Sequence, residues 1–180
     1  MQMDDRAEYV ILVDEHDRET GLAPKLQAHL EGMRHRAISV LIFNSKGEML
    51  LQQRHAGKYH SGGLWTNACC SHPRAGEETD AAAHRRLQEE MGFDVPLTPM
   101  FIAHYRAPVG DLIEDEVVHV YGGHFEGAPQ PEPSEVDAYR WIGLDDLISD
   151  MKARPDVYTV WFRKYVSEYH ARILELMRKQ

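Results

Sequence analysis

The sequence predicts an α+β fold: a mixed α/β sandwich whose central mixed sheet is flanked by helices. Two observations carry this reading. Apolar runs of strand length recur along the chain, while Asp80–Met91 and Val157–Met177 place apolar residues at helical spacing. Strands and helices do not alternate regularly, which favours segregated layers over a doubly wound parallel sheet. The 180 residues, 43% hydrophobic and 27% charged, are enough for a single domain spanning 1–180 with a sizeable core.

Tyr9-Val10-Ile11-Leu12-Val13 reads as a buried strand, and Asp14–Gly21 as a polar turn. Pro24–Leu30 predicts a short helix, with Pro24 in its first turn and Gly32 beyond its end. Ala37–Asn44 is apolar enough for a central strand. Ser45-Lys46-Gly47 then forms a tight turn, and Glu48–Arg54 returns as the hairpin partner. His55–Gly63, rich in Gly, His and Lys, is a loop, and Trp65–Cys70 is a strand. Asp80–Met91 is a helix capped by Thr79 and closed by Gly92, with Ala82, Ala83, Leu87 and Met91 as its apolar stripe. Further strands are expected at Met100–Ala107, Glu116–Phe125 and Ala138–Ile142, the last two separated by a loop carrying Pro129, Pro131 and Pro133. Leu144–Met151 is a helix. After Pro155, Val157–Met177 predicts a longer amphipathic one.

The net charge of -9 argues against a nucleic-acid partner, which requires a basic footprint. It leaves room for a small anion, because local cations or a metal ion can reverse the local sign. Met1–Arg6 is acidic and lacks the apolar core of a signal peptide, and no apolar run is long enough to span a bilayer. Two adjacent cysteines make no disulfide framework, so a reducing, cytoplasmic setting is expected. No long apolar stripe is left over, and a monomer is expected.

Several residue sets are candidates for chemistry. Cys70 lies two positions before His72 in the run Trp65-Thr66-Asn67-Ala68-Cys69-Cys70-Ser71-His72-Pro73. On a strand Cys69 and Cys70 face opposite sides, so at most one faces a site; a buried, inert thiol is the ordinary alternative. Glu114 and Glu116, two apart, share a face on a strand. Together with His29, His35 and His72 they offer a donor set suited to Mn or Mg, though Zn also takes such ligands. Lys25, Arg54, Lys58 and Arg86 are cations from four separate segments. Trp161 falls on the last helix, where core packing is the default reading.

From Ser71 to Phe93 the spacing resembles the Nudix box, Gly-x5-Glu-x7-Arg-Glu-hydrophobic-x-Glu-Glu-x-Gly-hydrophobic. Glu77, Arg85, Leu87, Glu89, Glu90, Gly92 and Phe93 fit, whereas Ser71 replaces the first Gly and Arg86 replaces a Glu. The replaced carboxylate is one that Nudix hydrolases use to hold metal for diphosphate cleavage. Arg86 and Glu90, four apart, also suit a simple helical pair.

The Trp65–Pro73 run, Glu114-x-Glu116 and the altered box together resemble the type 1 isopentenyl-diphosphate isomerases, a metal-dependent, flavin-free family with a Nudix-like fold. The resemblance covers about Lys25 to Trp161. It implies reversible conversion of isopentenyl to dimethylallyl diphosphate in isoprenoid biosynthesis, with a small allylic or homoallylic diphosphate as partner. It implies catalysis by Cys70 and Glu116, assisted by Tyr105, and one divalent metal, Mn2+ ahead of Zn2+ or Mg2+, on His29, His35, His72, Glu114 and Glu116. It further implies Mg2+ bridging the diphosphate, held by Glu90 and the backbone carbonyl of Cys70. Lys25, Arg54, Lys58 and Arg86 would grip the diphosphate, and Trp161 would face the hydrocarbon. The interval from His29 to His35 is one residue shorter than in that family. A Nudix diphosphate hydrolase of the isomerase-like branch is the alternative enzyme, and a non-catalytic metal-binding module the alternative from another class.

Overall fold

A computed structural model describes residues 8–179, and the acidic Met1–Arg6 lies outside them. The elements run β1 (Tyr9–Val13), β2 (Glu19–Pro24), α1 (Lys25–Glu31), β3 (His35–Phe43), β4 (Glu48–Arg54), β5 (Trp65–Asn67), β6 (Cys69–Ser71), α2 (Thr79–Met91), β7 (Thr98–Val109), β8 (Leu112–His124), β9 (Val136–Gly143), α3 (Leu144–Ala153), α4 (Val160–Glu168) and α5 (His170–Arg178). A 3-10 turn, Pro155–Val157, precedes α4. The sheet is mixed: β3 pairs in parallel with β8 along its whole length, and the other strand pairs are antiparallel.

β3 is the spine. Its other edge is shared in turn by β1 at His35, β6 at Ile38–Val40 and β4 at Phe43. The expected β3–β4 hairpin forms, but the strands pair only at Phe43 and Met49 and then diverge. β4 instead lies between β5 and β9, so the sheet splits into two parts. Trp65–Cys70 is accordingly two strands and not one. Trp65–Asn67 pairs with β4, the chain turns at buried Ala68, and Cys69–Ser71 pairs with β3. A strand serving two diverging neighbours has to break between them.

Alternation along β3 divides the core. Ile38, Val40 and Ile42 pack with Ala82, Ala83, Leu87 and Met91 of α2. Ala37, Leu41 and Phe43 face the opposite way, toward Trp161, Phe162 and Tyr165 of α4. The helical stripe expected for α2 is fully buried.

Three further expectations are corrected. Asp14–Gly21 is not wholly turn: β2 starts at Glu19 and pairs with β1, a strand set by its partner and not by an apolar pattern of its own. Thr79 is the first residue of α2 and not its cap; Glu78 is the cap residue, and the Thr79 hydroxyl bonds the Tyr121 hydroxyl at 2.6 Å. The long last helix is two helices. Tyr169 leaves helical geometry at φ -116°, and its ring stacks on Phe101 with centroids 4.0 Å apart. The first of the two is capped by Thr159, whose hydroxyl accepts from Phe162 N and donates to Thr66 Oγ1. That tie brings the start of α4 to β5, the strand just before the cysteines.

Gly92 ends α2 at φ 76°, and a Cβ there would lie 2.4 Å from the Gln130 carbonyl oxygen. Both the backbone angle and the close approach require glycine. Gly92→Ala is expected to lower stability by more than about 1 kcal/mol, read as a fall in the urea midpoint. An unchanged midpoint would contradict the close approach.

Candidate active site and metal centre

Three neighbouring strands place the acids and imidazoles. β8 pairs with β3 so that His35 lies opposite Glu116, and with β7 so that Tyr105 lies opposite Glu116 and Ala107 opposite Glu114. Period-2 alternation then puts Glu114 and Glu116 on one face. Asp115 points the other way, where it accepts from Arg34, His104 and Arg106. The acidic triplet is therefore a strand buried on both sides, with each carboxylate in its own set of partners.

The imidazoles converge from three elements. His29 comes from α1, His35 from β3, and His72 from just beyond β6. Their ligand atoms and that of Glu116 all lie within 4.8 Å of one another. His29 Nδ1 donates to the Lys25 carbonyl at 2.7 Å, and His35 Nδ1 to the Met33 carbonyl at 2.8 Å. A ring proton held on Nδ1 leaves the Nε2 lone pair for the site. His35 Nε2, His72 Nε2 and Glu114 Oε2 are buried without hydrogen-bond partners. Such orphaned atoms are costly unless a cation satisfies them, so the donor set fits a divalent metal. Glu114 stands slightly apart. Its Oε1 meets His29 Nε2 at 2.6 Å, and its Oε2 is 3.9 Å from His35 Nε2.

The two carboxyls titrate in opposite directions. Burial pushes the Glu116 carboxyl well above the usual range, and the Glu114 charge adds to this. Burial also works to raise Glu114. Its neighbours Glu116, His29 and His60 outweigh it and hold that carboxyl well below its ordinary value. Tyr105 donates to Glu116 Oε1 at 2.9 Å.

Cys70 opposes Ser39 across β3 and faces the cleft, whereas Cys69 is fully buried against α2. The cleft is lined by Cys70 together with Glu116, Tyr105 and Trp161. The Cys70 thiol donates to Asn67 Oδ1 at 3.2 Å and accepts from Trp161 Nε1 at 3.1 Å and Ser39 Oγ at 3.4 Å. Asn67 is locked in turn, because its Nδ2 donates to the carbonyls of Val40 and Cys69. Burial raises the thiol pKa despite these donors. Trp161 therefore presents its N–H to the sulfur, and the Arg54 guanidinium lies over its ring, 5.2 Å from the centroid.

Lys25, Arg54, Lys58 and Arg86 all line the same cleft. Lys25 meets Glu8 at 3.3 Å, Lys58 pairs with Glu135, and Arg86 bonds Glu89 at 2.6 Å and Glu90 at 2.7 Å. Glu90 is 3% exposed and also accepts from Gln52 at 3.0 Å. Arg86 is thus no surface charge: it neutralises the carboxylate that a Nudix box would turn toward a metal.

The NUDIX domain family matches residues 33–162. An isopentenyl-diphosphate Delta-isomerase of Pectobacterium atrosepticum is 52% identical over 86% of this chain and 87% of its own. That of Serratia proteamaculans is 47% identical over 93% and 94% of the two chains. The chain belongs to the isopentenyl-diphosphate Delta-isomerases, within the Nudix superfamily. Solved structures agree on the fold. A protein of Deinococcus radiodurans superposes with a TM-score of 0.69 at 17% identity, covering 81% of this chain and 90% of that one. The MutT protein of Methanosarcina mazei gives 0.63 at 18% identity, covering 81% and 96%.

Every residue picked out by resemblance to the isomerases comes to this cleft or to the histidine floor beneath it. Sequence reasoning missed others. His60 Nε2 lies 2.8 Å from Glu114 Oε1, Ser39 and Asn67 hold the thiol, Gln52 holds Glu90, and Glu135 meets Lys58. None stands in a periodic or metal-spaced pattern. Only the Gly- and His-rich character of His55–Gly63 marked the loop that carries His60.

Replacing His35 or His72 by Ala is expected to weaken divalent-cation binding by more than the roughly 10–100-fold typical of losing an outer partner. Equilibrium dialysis with metal analysis reads this. Equal metal content in the variants and the parent would mean that the cluster is not a metal site.

Proposed function

We infer that this isomerase moves the double bond by adding and removing protons on opposite faces of the five-carbon chain, with Cys70 and Glu116 as the proton-handling groups. Adding a proton to the terminal CH2 carbon of isopentenyl diphosphate leaves a tertiary cation. Removing one from the methylene on its other side gives dimethylallyl diphosphate. One proton enters and one leaves, so a matched acid and base are needed across a flat intermediate. The observation that carries this reading is the placement of a hydrogen-bonded thiol and a buried, tyrosine-bonded carboxyl in one cleft. Burial makes both groups reluctant to ionise, so whichever has released its proton is a strong base toward the adjacent carbon. Their roles exchange with direction.

Tyr105 orients Glu116 and supplies a hydroxyl beside the transferred proton. The Trp161 ring and the enclosed cleft shield the cation from water. A divalent metal held by His29, His35, His72, Glu114 and Glu116, with Mn2+ the leading choice, would draw charge from Glu116 and tune its proton affinity. Glu90 and the Cys70 carbonyl would hold a second ion, Mg2+, which would neutralise charge on the diphosphate. Lys25, Arg54, Lys58 and Arg86 supply the remaining grip, and that remote binding energy positions a small hydrocarbon tail. Glu8 and Glu135 hold two of these cations in place and would yield them to the diphosphate. Arg86 stands where a Nudix box has a metal-holding glutamate, and the loss of that carboxylate disfavours the hydrolase alternative. The reading also includes a monomer acting in the cytoplasm, where free cysteines persist.

Cys70→Ala is expected to cut turnover by roughly 10²–10⁴-fold while leaving folding and diphosphate affinity in place. NMR of isopentenyl diphosphate in heavy water reads both the dimethylallyl product and deuterium uptake. Full activity in the variant would remove Cys70 from the reaction, and diphosphate cleavage without bond migration would favour the hydrolase. Trp161→Leu is expected to lower kcat roughly thirtyfold, corresponding to about 2 kcal/mol of cation stabilisation. Trp161→Phe keeps a ring face and should lose less; equal losses would place the role of Trp161 in its N–H.

A further inference from the structure

The metal-site candidates fall into two overlapping clusters. His29, His35, His72 and Glu116 form one; His29, His60 and Glu114 form the other. Glu114 therefore reaches the first cluster from the side, with its unpartnered Oε2 3.9 Å from His35 Nε2. Its other oxygen, Oε1, is 2.8 Å from His60 Nε2. We propose that His60 is a positioning residue of the metal centre: it donates a hydrogen bond to Glu114 Oε1 and so holds Oε2 toward the ion. This rests on reading the first cluster as a metal site.

Donor and acceptor accounting supports it. A neutral imidazole carries one donor and one acceptor. His60 Nδ1 is 3.1 Å from the Ser61 hydroxyl, which can donate to it, leaving the ring proton on Nε2 for Glu114. His29 faces the same oxygen, but its ring proton is committed to the Lys25 carbonyl, so a neutral His29 offers Glu114 only a lone pair. His60 is the neutral donor. A carboxylate bound by an outer hydrogen bond on one oxygen and aimed by the other is a common arrangement of metal ligands.

The backbone is built to deliver this side chain. Ser61 adopts a left-handed φ of 53°, an unfavourable region for a residue with a Cβ. A Cβ on Gly62 would come within 2.6 Å of the Ala56 carbonyl oxygen, so the loop folds tightly on itself. The His60 carbonyl accepts from Arg54 Nη2 at 3.3 Å. Lys58 and His60 thus sit on one short loop, tying the anion-binding cations to the metal carboxylate.

The test uses the full chain and Mn2+ alone, comparing the parent with His60→Ala, His60→Leu and His60→Gln. Mn2+ affinity is read by EPR titration, and imidazole coordination by pulsed EPR of the bound ion. His60→Ala and His60→Leu are expected to weaken affinity about 10–100-fold, and His60→Gln, whose amide can donate, to recover most of it. Nitrogen couplings should be the same in all four proteins. Unchanged affinity in His60→Ala would overturn the proposal. So would recovery in His60→Leu, which would indicate packing and not a hydrogen bond, or loss of an imidazole coupling in His60→Gln, which would make His60 a ligand. A parent chain that binds no Mn2+ would remove the metal reading and this inference with it. Mn2+ bound by the parent with equal affinity in every variant would remove the inference alone.

Discussion

The parallel register of β3 on β8, with His35 opposite Glu116, is the constraint on which the site depends. It brings two carboxyls and a ring of imidazoles into a buried space where none could stand alone. An uncompensated buried charge costs several kcal/mol, so the arrangement persists only because each member has a partner or a cation to meet. The same register fixes which residues share the face: Ala37 and Ser39 follow His35 along β3, and Val118 and Val120 follow Glu116 along β8. The apolar members of that face become the core under α4. The site and the core are one surface, polar at one end and apolar at the other.

The second constraint is the corner at Ala68. Because β4 and β3 diverge, the strand that joins them turns, and the turn places Asn67 against the Cys70 sulfur. Thr159 then docks α4 on that corner, so that Trp161 and Tyr165, one turn apart, reach Cys70 and Ser39. Thiol, amide, indole and hydroxyl are locked by elements far apart in the chain. That rigidity suits an acid–base group, whose efficiency depends on holding its hydrogen-bonding geometry.

Much of the fold was legible because burial imposes a period. The strand at Ala37–Asn44, the α2 stripe and the Gly92 stop all follow local rules, and the structure obeys them. The failures are equally physical. β2 has no apolar alternation, and its pairing comes from β1. Thr79 was a sound cap by type, but Tyr121 offered its hydroxyl another partner. Helical spacing ran through Tyr169, but the helix breaks there, where the ring stacks on Phe101 of a distant strand.

The sequence by itself determined the candidate residues: a thiol beside an imidazole, two acids at strand spacing, and an arginine where a Nudix box has a glutamate. Those are matters of residue type and short-range order, which a linear pattern preserves. Only the tertiary structure decided which oxygen of Glu114 faces the imidazoles, what holds the Cys70 sulfur, and that His60 belongs beside them. Those facts depend on contacts between residues 31 to 91 positions apart, and no local period records where such segments meet.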